Sequence, residues 1–273
     1  MMHNKVRIGV VGSDGRMGRQ LIQSIIQTPG VLLGAAVVNS CSSLIGRDAG
    51  ELVNHSVLGI TITDTLDKVI NNFDILIDFT SPKGTLTYLS FCRKHYKSMV
   101  IGTTGFNDLE AILIKNASQE IPIVCSSNFS IGATLTLKVV EKIAKIMGEH
   151  ADIEIIETHH RKKVDSPSGT ALAMGKAIAK VMKWDFNQHA VYPRDRVIGP
   201  RLEKTISFTS IRCGNVIGEH KVLFADIDEH IEISHKTLDR SVFAKGAITA
   251  ALWLRTKKIG LFKMIDVLEL QDI

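Results

Sequence analysis

The sequence predicts an α/β fold, a doubly wound parallel sheet followed by a smaller α+β domain, and three observations lead there. Through about the first 150 residues, short apolar runs alternate with amphipathic segments, the pattern of parallel strands covered by helices. A glycine-rich turn, Gly12-Ser13-Asp14-Gly15-Arg16-Met17-Gly18, directly follows the first apolar run and opens the first helical pattern. After that the texture changes, and residues 205 to 236 hold consecutive β-like runs with no helix between them.

Taken in order, Val6 to Val11 reads as a strand. Met17 to Ile26 reads as a helix because Met17, Leu21, Ile22, Ile25 and Ile26 recur on one face. Val31 to Val38 is a second strand. Phe73 to Phe79, Met99 to Ile101 and Ile121 to Val124 continue the series, with helical patterns around 82 to 95, 107 to 117 and 132 to 147. With the glycine turn at its first strand-helix junction, this half is Rossmann-type. Ile153 to Thr158 is a further strand and Thr170 to Met182 a helix. The runs TISFTSIR, KVLFADID and HIEISHK, joined by short polar turns, predict a largely antiparallel meander. Ser241 to Leu254 closes the pattern as a helix with Phe243, Ala247, Ala250, Ala251 and Leu254 along one stripe.

With 273 residues and 45% hydrophobic content, the chain can bury one sizeable core or two modest ones. The opening stretch MMHNKVRIGVVGSDG has a basic residue before an apolar run, but the run is short and ends in glycines, so no export signal is expected. Ile121 to Cys125 and Ile248 to Leu254 fall far short of the roughly 20 apolar residues that span a bilayer, so no membrane span is expected. Cys41, Cys92, Cys125 and Cys213 show no C-x-x-C spacing and read as thiols of a reducing cytoplasm. The net charge of +5 and pI near 9.0 come from scattered cations; only Arg161-Lys162-Lys163 and Lys257-Lys258 cluster. With 5% aromatic residues as well, this favours an anionic small molecule over a nucleic acid. Outside the adjacent pair at 159 and 160, the histidines show neither H-x-x-x-H nor H-x-H spacing, and no metal site is expected.

The glycine turn has chemistry to offer. Glycines let the backbone approach a pyrophosphate, and the helix N-terminus presents unpaired N–H groups and a partial positive charge. The spacing is G-x-x-G-x-x-G, and Asp14 is an oddity beside a phosphate unless it points away or caps the helix. Gly102-Thr103-Thr104-Gly105 and Ser126-Ser127-Asn128-Phe129-Ser130 fall at the carboxyl ends of parallel strands, where ligands of such sheets bind. The richest stretch runs from Glu157 to Ala171, ETHHRKKVDSPSGTA. It places two imidazoles, three cations and a Ser-Gly-Thr helix start at a strand end, where a dianion can dock. Adjacent histidines on a strand point to opposite faces, one to the core and one to solvent, unless the alternation breaks at the strand end, as is expected at His159.

Beyond these pieces, GRMGR (15 to 19), DFT (78 to 80), GTTGF (102 to 106), NFS (128 to 130), HHRKKVDSPSGTA (159 to 171) and GEH (218 to 220) stand in one order. In that order and at those separations the chain resembles the 4-hydroxy-tetrahydrodipicolinate reductase (dihydrodipicolinate reductase) family, from about residue 5 through ALWL at 251 to 254. The resemblance implies a dinucleotide-binding domain at 1–130, with about 241–273 packing back on it, and a substrate-binding and tetramerisation domain at 131–240. It implies NADPH or NADH as cofactor, a small dicarboxylate as substrate, a cytoplasmic homotetramer, and a place in lysine biosynthesis through diaminopimelate. Gly12 through Gly18 would hold the pyrophosphate; Gly102, Thr103 and Thr104 with Ser126, Ser127, Asn128 and Phe129 would contact the nicotinamide half. His159 and Lys163 would be the proton-transferring residues, and His160, Gly169 and Thr170, assisted by Ser168, would hold the substrate.

One departure stands out at the end of the second strand. Val38 occupies the place where related enzymes often carry Glu, and Asn39 the place where they often carry Arg. A carboxylate there accepts from the ribose hydroxyls of NADH and repels the 2′-phosphate of NADPH. Without it, Arg16 and Asn39 can take the phosphate, which predicts that both cofactors work with NADPH preferred ~10-fold. Restoring the acceptor by Val38→Glu would then favour NADH. Two other readings share the glycine loop. Another NAD(P)-dependent amino-dicarboxylate dehydrogenase has no reason to carry HHRKKVDSPSGTA, and a non-catalytic nucleotide-binding regulator has no reason to retain His159 and Lys163.

Overall fold

The computed structural model describes residues 5–192 and 199–272; residues 1–4 of the opening stretch, 193–198 and 273 lie outside the description. In chain order the elements begin β1 (Val6–Val11), α1 (Arg16–Gln27), β2 (Val31–Val37), β3 (Ile62–Thr63), β4 (Ile75–Asp78), α2 (Pro82–Lys94) and β5 (Ser98–Ile101). They continue α3 (Asp108–Ala117), β6 (Pro122–Cys125), α4 (Ile131–Met147), β7 (Asp152–His159), α5 (Gly169–Met182), α6 (Phe186–His189) and β8 (Ala190–Val191). The last are β9 (Ile206–Arg212), β10 (Gly218–Ala225), β11 (His230–Thr237), α7 (Ser241–Leu254), β12 (Gly260–Phe262) and α8 (Met264–Val267). Two compact units result: the chain up to Ile131 with Ser241–Glu269, and Gly132–Arg240 with the residues from Leu270.

The first unit is built on a seven-stranded sheet in the order β12-β6-β5-β4-β1-β2-β3, every pair parallel. Both faces are covered, which is why its strands read as unbroken apolar runs rather than alternating ones. On one face Ile8, Val10, Ile77, Val100 and Val124 pack with Leu21 and Ile25 of α1 and with Ala244, Ala247, Ala250 and Ala251 of α7. On the other, Leu76, Met99, Ile101 and Ile123 pack with Leu89 of α2 and Ile114 of α3. The strand order turns at β1, between β2 and β4, and that switch point opens the crevice where such sheets hold ligands.

The second unit has a five-stranded sheet in the order β11-β10-β7-β9-β8. Ile153, Ile155, Phe208, Val222 and Phe224 face Val140 and Ala144 of α4 and Ala171, Met174 and Ile178 of α5. This corrects the expected meander: β10 pairs antiparallel with β11 and β7, but β9 lies parallel to β7 and does not touch β10. The connection from β9 to β10 passes over the end of β7. There the N–H of Cys213 donates to the His159 carbonyl at 2.9 Å, and Gly214, at φ 48°, makes the turn. Alternation in sequence says which side chains of a strand are buried; it does not say which strand lies next to it.

Candidate active site

In the first unit the glycine loop is shaped by contacts that forbid side chains. Gly12 takes φ 63°, and a Cβ at Gly18 would lie 2.2 Å from the Gly12 carbonyl oxygen and 2.6 Å from Cα of Ser13. Helix α1 therefore seats directly on the loop. Its N-cap is Gly15, which has no side chain to cap with, so the first-turn N–H groups stay open to an anion. These features fit a dinucleotide pyrophosphate. Asp14 turns aside: its Oδ2 accepts from the Ser42 hydroxyl at 3.0 Å, and Arg16 is exposed. We expect Gly18→Ala to lower Tm by on the order of 5 °C and to weaken binding of reduced dinucleotide in a fluorescence titration, since overpacking against backbone costs about 1–3 kcal/mol. Wild-type values for both would show that the loop can yield.

Beside this loop stands Asp78, at the end of β4 and fully buried. Its Oδ1 accepts from the N–H of Thr80 at 2.8 Å and from the Thr80 hydroxyl at 2.7 Å. Burial pushes its carboxyl up, opposed by the hydroxyls of Thr85, Thr80 and Thr103 around it. Thr80 in turn carries the methyl that a Cβ on Gly12 would meet at 2.8 Å.

The second unit gathers a polar cluster where the buried face of β7 runs out of aliphatic residues. Contrary to the expected break, alternation persists to the strand end: Ile153, Ile155, Glu157 and His159 are all buried. Glu157 is clamped by Arg212, whose Nη2 donates to Oε1 at 2.6 Å and Nη1 to Oε2 at 2.8 Å. The N–H of Ser168 donates to Oε1 at 3.2 Å, and His159 Nδ1 stands 2.5 Å from Oε2. Burial alone would raise the Glu157 carboxyl, but Arg212, Ser210 and His159 bring it down to about 2. Burial likewise lowers the His159 imidazole, against the pull of Glu157. His220 lies edge-on to His159 at 5.1 Å, with Nε2 2.9 Å from the Ser168 hydroxyl. Burial, reinforced by His159, pushes His220 down to about 4.

Around this core, the loop after β7 folds back through a 3.1 Å bond from the N–H of Lys163 to the His160 carbonyl. Lys163 Nζ donates to Asp165 Oδ1 at 2.8 Å, and the Asp165 carbonyl accepts from Arg212 at 2.7 Å. Ser168 is the N-cap of α5, accepting from the N–H of Ala171 at 3.3 Å, and it sets Gly169 and Thr170 in the first turn of that helix.

Several residues picked from sequence have side chains turned into the structure. Ser13 is buried, with its N–H donated to Val37 and its hydroxyl to Val10. Phe129 is 1% exposed, its ring packed on Phe79 in the α7-facing core and its carbonyl set against Gly246. Ser168 is 2% exposed with both polar groups engaged, so it braces the loop that leads into α5. Thr103 is buried beside Asp78, whereas Thr104 is exposed. In the loop after β6, the Ser126 hydroxyl donates to the Asn128 carbonyl at 2.9 Å and Asn128 Oδ1 accepts from the N–H of Ser130 at 2.8 Å. Asn39 is exposed, with Oδ1 accepting from the N–H of Cys41 at 3.0 Å. Val38 is 2% exposed among Ile22, Ala49, Leu52 and Ile62. A glutamate at 38 would bury a carboxylate there, so Val38→Glu reports on stability before it reports on cofactor choice.

Sequence reasoning gave no role to Glu157, Arg212 or His220. Glu157 carried a signal in its i, i+2 spacing from His159, and His220 in the GEH motif. Arg212 carried none.

Comparison with known proteins matches the same stretches. The family model described as dihydrodipicolinate reductase, N-terminus, matches residues 6–129, and the one described as its C-terminus matches residues 132–268. A dipicolinate-bound dihydrodipicolinate reductase from Paenisporosarcina sp. TG-14 superposes with a TM-score of 0.74 at 24% identity, over 96% of this chain and 98% of that one. A probable dehydrogenase from Thermotoga maritima gives 0.61 at 11% identity, over 97% and 93%. The C. glutamicum DAP dehydrogenase in complex with DAP gives 0.53 at 13% identity, over 99% and 100%. At these identities the structural likenesses speak to the fold.

Proposed function

The chain belongs to the dihydrodipicolinate reductase family, and from that premise we propose how its residues divide the reaction. The activity is NADH- or NADPH-dependent reduction of 4-hydroxy-tetrahydrodipicolinate to tetrahydrodipicolinate with loss of water, in the diaminopimelate route to lysine. When bound, the reduced nicotinamide supplies the hydride. Adding hydride to a conjugated imine builds negative charge that a proton must neutralise, and expelling hydroxide also needs an acid. His159 exchanges a proton through Nε2, and Lys163 is the ammonium acid once it leaves Asp165. The N–H groups of Gly169 and Thr170 at the start of α5, with His160, hold the carboxylates. The glycine loop, Gly102, Thr103, Thr104, the loop from Ser126 to Phe129 and Asn39 hold the cofactor.

The observation that carries this reading is the state of His159: one ring nitrogen is held by Glu157, and the other has no hydrogen-bond partner among the described residues. The test is spectrophotometric, following oxidation of NADH and NADPH with substrate freshly made from pyruvate and aspartate semialdehyde. No oxidation above background with either cofactor would reject the reading.

Arg16 is exposed, and Asn39 keeps its amide N–H groups to donate while its oxygen holds Cys41. This supports binding of a ribose 2′-phosphate by charge-assisted contacts worth roughly 1.5–3 kcal/mol. We therefore expect kcat/KM for NADPH to exceed that for NADH by ~10-fold. Arg16→Ala should weaken NADPH more than NADH; equal loss for both would place Arg16 outside the cofactor's reach.

The chain works as a homotetramer in the cytoplasm. Along β11 and β10 the side of the sheet opposite the helices carries Glu232, Ser234 and Lys236 beside Lys221 and Leu223, and among the described residues β11 is an edge strand. Closed symmetric assembly covers such an edge without aggregation. Light scattering is expected to give about four times the 30.0 kDa chain mass, and a stable monomer at assay concentration would refute it. All four cysteines are free, which suits a reducing compartment, and no helix among the described residues is long and apolar enough to cross a membrane.

A further inference from the structure

Glu157 presents a problem in physical chemistry. Its side chain is 1% exposed, a place where an ion is costly unless its lone pairs are used. Each oxygen meets two partners: Oε1 takes Arg212 Nη2 and the N–H of Ser168, and Oε2 takes Arg212 Nη1 and His159 Nδ1. Three of these partners can only donate. The fourth, His159 Nδ1, lies 2.5 Å from an oxygen that already carries charge, and there it is stable only with a proton on it.

Resting on the reading of His159 given above, we propose that Glu157, clamped by Arg212 and the Ser168 N–H, is a positioning residue for the reaction. It holds the His159 proton on Nδ1 and so leaves the Nε2 lone pair as the atom that takes up and returns a proton. The surroundings of Nε2 agree. A Cβ on Gly218 would lie 3.0 Å from Nε2, so the glycine of β10 keeps that nitrogen uncovered. The titratable and charged groups facing the ring are Glu157 on its own strand, Arg212 on β9, His220 on β10, and Lys163 on the loop after β7, with Asp165 paired to Lys163. Of these, Glu157 is the one hydrogen-bonded to the ring.

The clamp also dictates what a neutral isostere would do. In Glu157→Gln the amide oxygen belongs at the Oε1 position, where two obligate donors converge. The amide NH2 then falls at the Oε2 position, facing one obligate donor, Arg212 Nη1, and His159 Nδ1, and it can donate to the ring only if the ring proton moves to Nε2. The base nitrogen is thereby occupied.

The experiment is 15N NMR of histidine-labelled protein at a pH of about 8, above the ordinary histidine range, so that the neutral tautomer is read. The expected result is a proton on Nδ1 of His159 in the wild type and on Nε2 in Glu157→Gln. Turnover of Glu157→Gln should fall by about 10² to 10⁴, with KM for substrate nearly unchanged, the pattern of a base left in the wrong tautomer. A wild-type ring protonated on Nε2, or a Glu157→Gln protein with wild-type kcat, would overturn the inference. Should the variant not fold, the wild-type spectrum alone decides. That spectrum needs no turnover: a chain with Nδ1 protonated but no reductase activity would unseat the proposed roles in reduction and leave the proton placement standing.

Discussion

His159→Gln and Lys163→Ala are each expected to lower kcat by about 10² or more, the scale of a lost general acid or base. Neither residue is a mainstay of the core. His159 closes β7 at the polar end of its buried face, and Lys163 stands on the following loop with Asp165 as its partner. Both variants should therefore fold, and unchanged far-UV circular dichroism beside the kinetics would establish that. His160→Gln and Thr170→Val should act mainly through KM, because in the proposed roles they hold carboxylates that are present equally in ground and transition states. The pH profile adds a signature. Since burial lowers the His159 imidazole, the limb of kcat/KM that reports its neutral form should lie below the ordinary histidine range and vanish in His159→Gln. Wild-type kcat in both variants would reject the assignment.

The second large effect is on stability. Arg212→Ala is expected to cost about 3–5 kcal/mol at neutral pH, because it leaves Glu157 buried without its clamp. Glu157 is held at about 2 against an ordinary 4.5, so its stabilising contribution is fully present above about pH 4.5 and is lost as pH falls toward 2. Arg212→Ala removes that contribution. The gap between wild type and variant should thus be widest above pH 4.5 and close below it. His220 adds a separate loss common to both proteins: it is kept neutral at about 4 against an ordinary 6.5, so the stability it contributes above pH 6.5 falls away toward pH 4. Thermal melts of both proteins from pH 7 down to pH 3 test this, and a gap that does not change with pH would refute the buried-charge explanation.

Local chemistry was legible from residues alone. The strand β1, the glycine turn and α1 follow from a switch between apolar periods with glycines at the junction, because those features act within a few residues of one another. The helix start at Ser168 follows from Ser-Gly-Thr in the same way, whereas the persistence of alternation to His159, which sets it on the same side of β7 as Glu157, does not. The co-linear motifs added the family and its reaction.

Other features depended on which distant segments become neighbours, and periodicity carries no information about that. The sequence pattern predicts three consecutive strands, but the structure inserts β7 between β9 and β10. That insertion brings Arg212 from β9 to Glu157 on one side, and the β7–β10 register sets His220 opposite Glu157 on the other. Burial had the same character. Phe129 and Ser13 fall in loops that the sequence marks for a ligand, and only the packing of the parallel sheet turned their side chains inward. The sequence by itself singled out the residues expected to bind a dinucleotide and move protons. Tertiary structure decided which of their side chains are buried and which nitrogen of His159 is held, because a buried carboxylate must collect its donors from wherever the chain brings them.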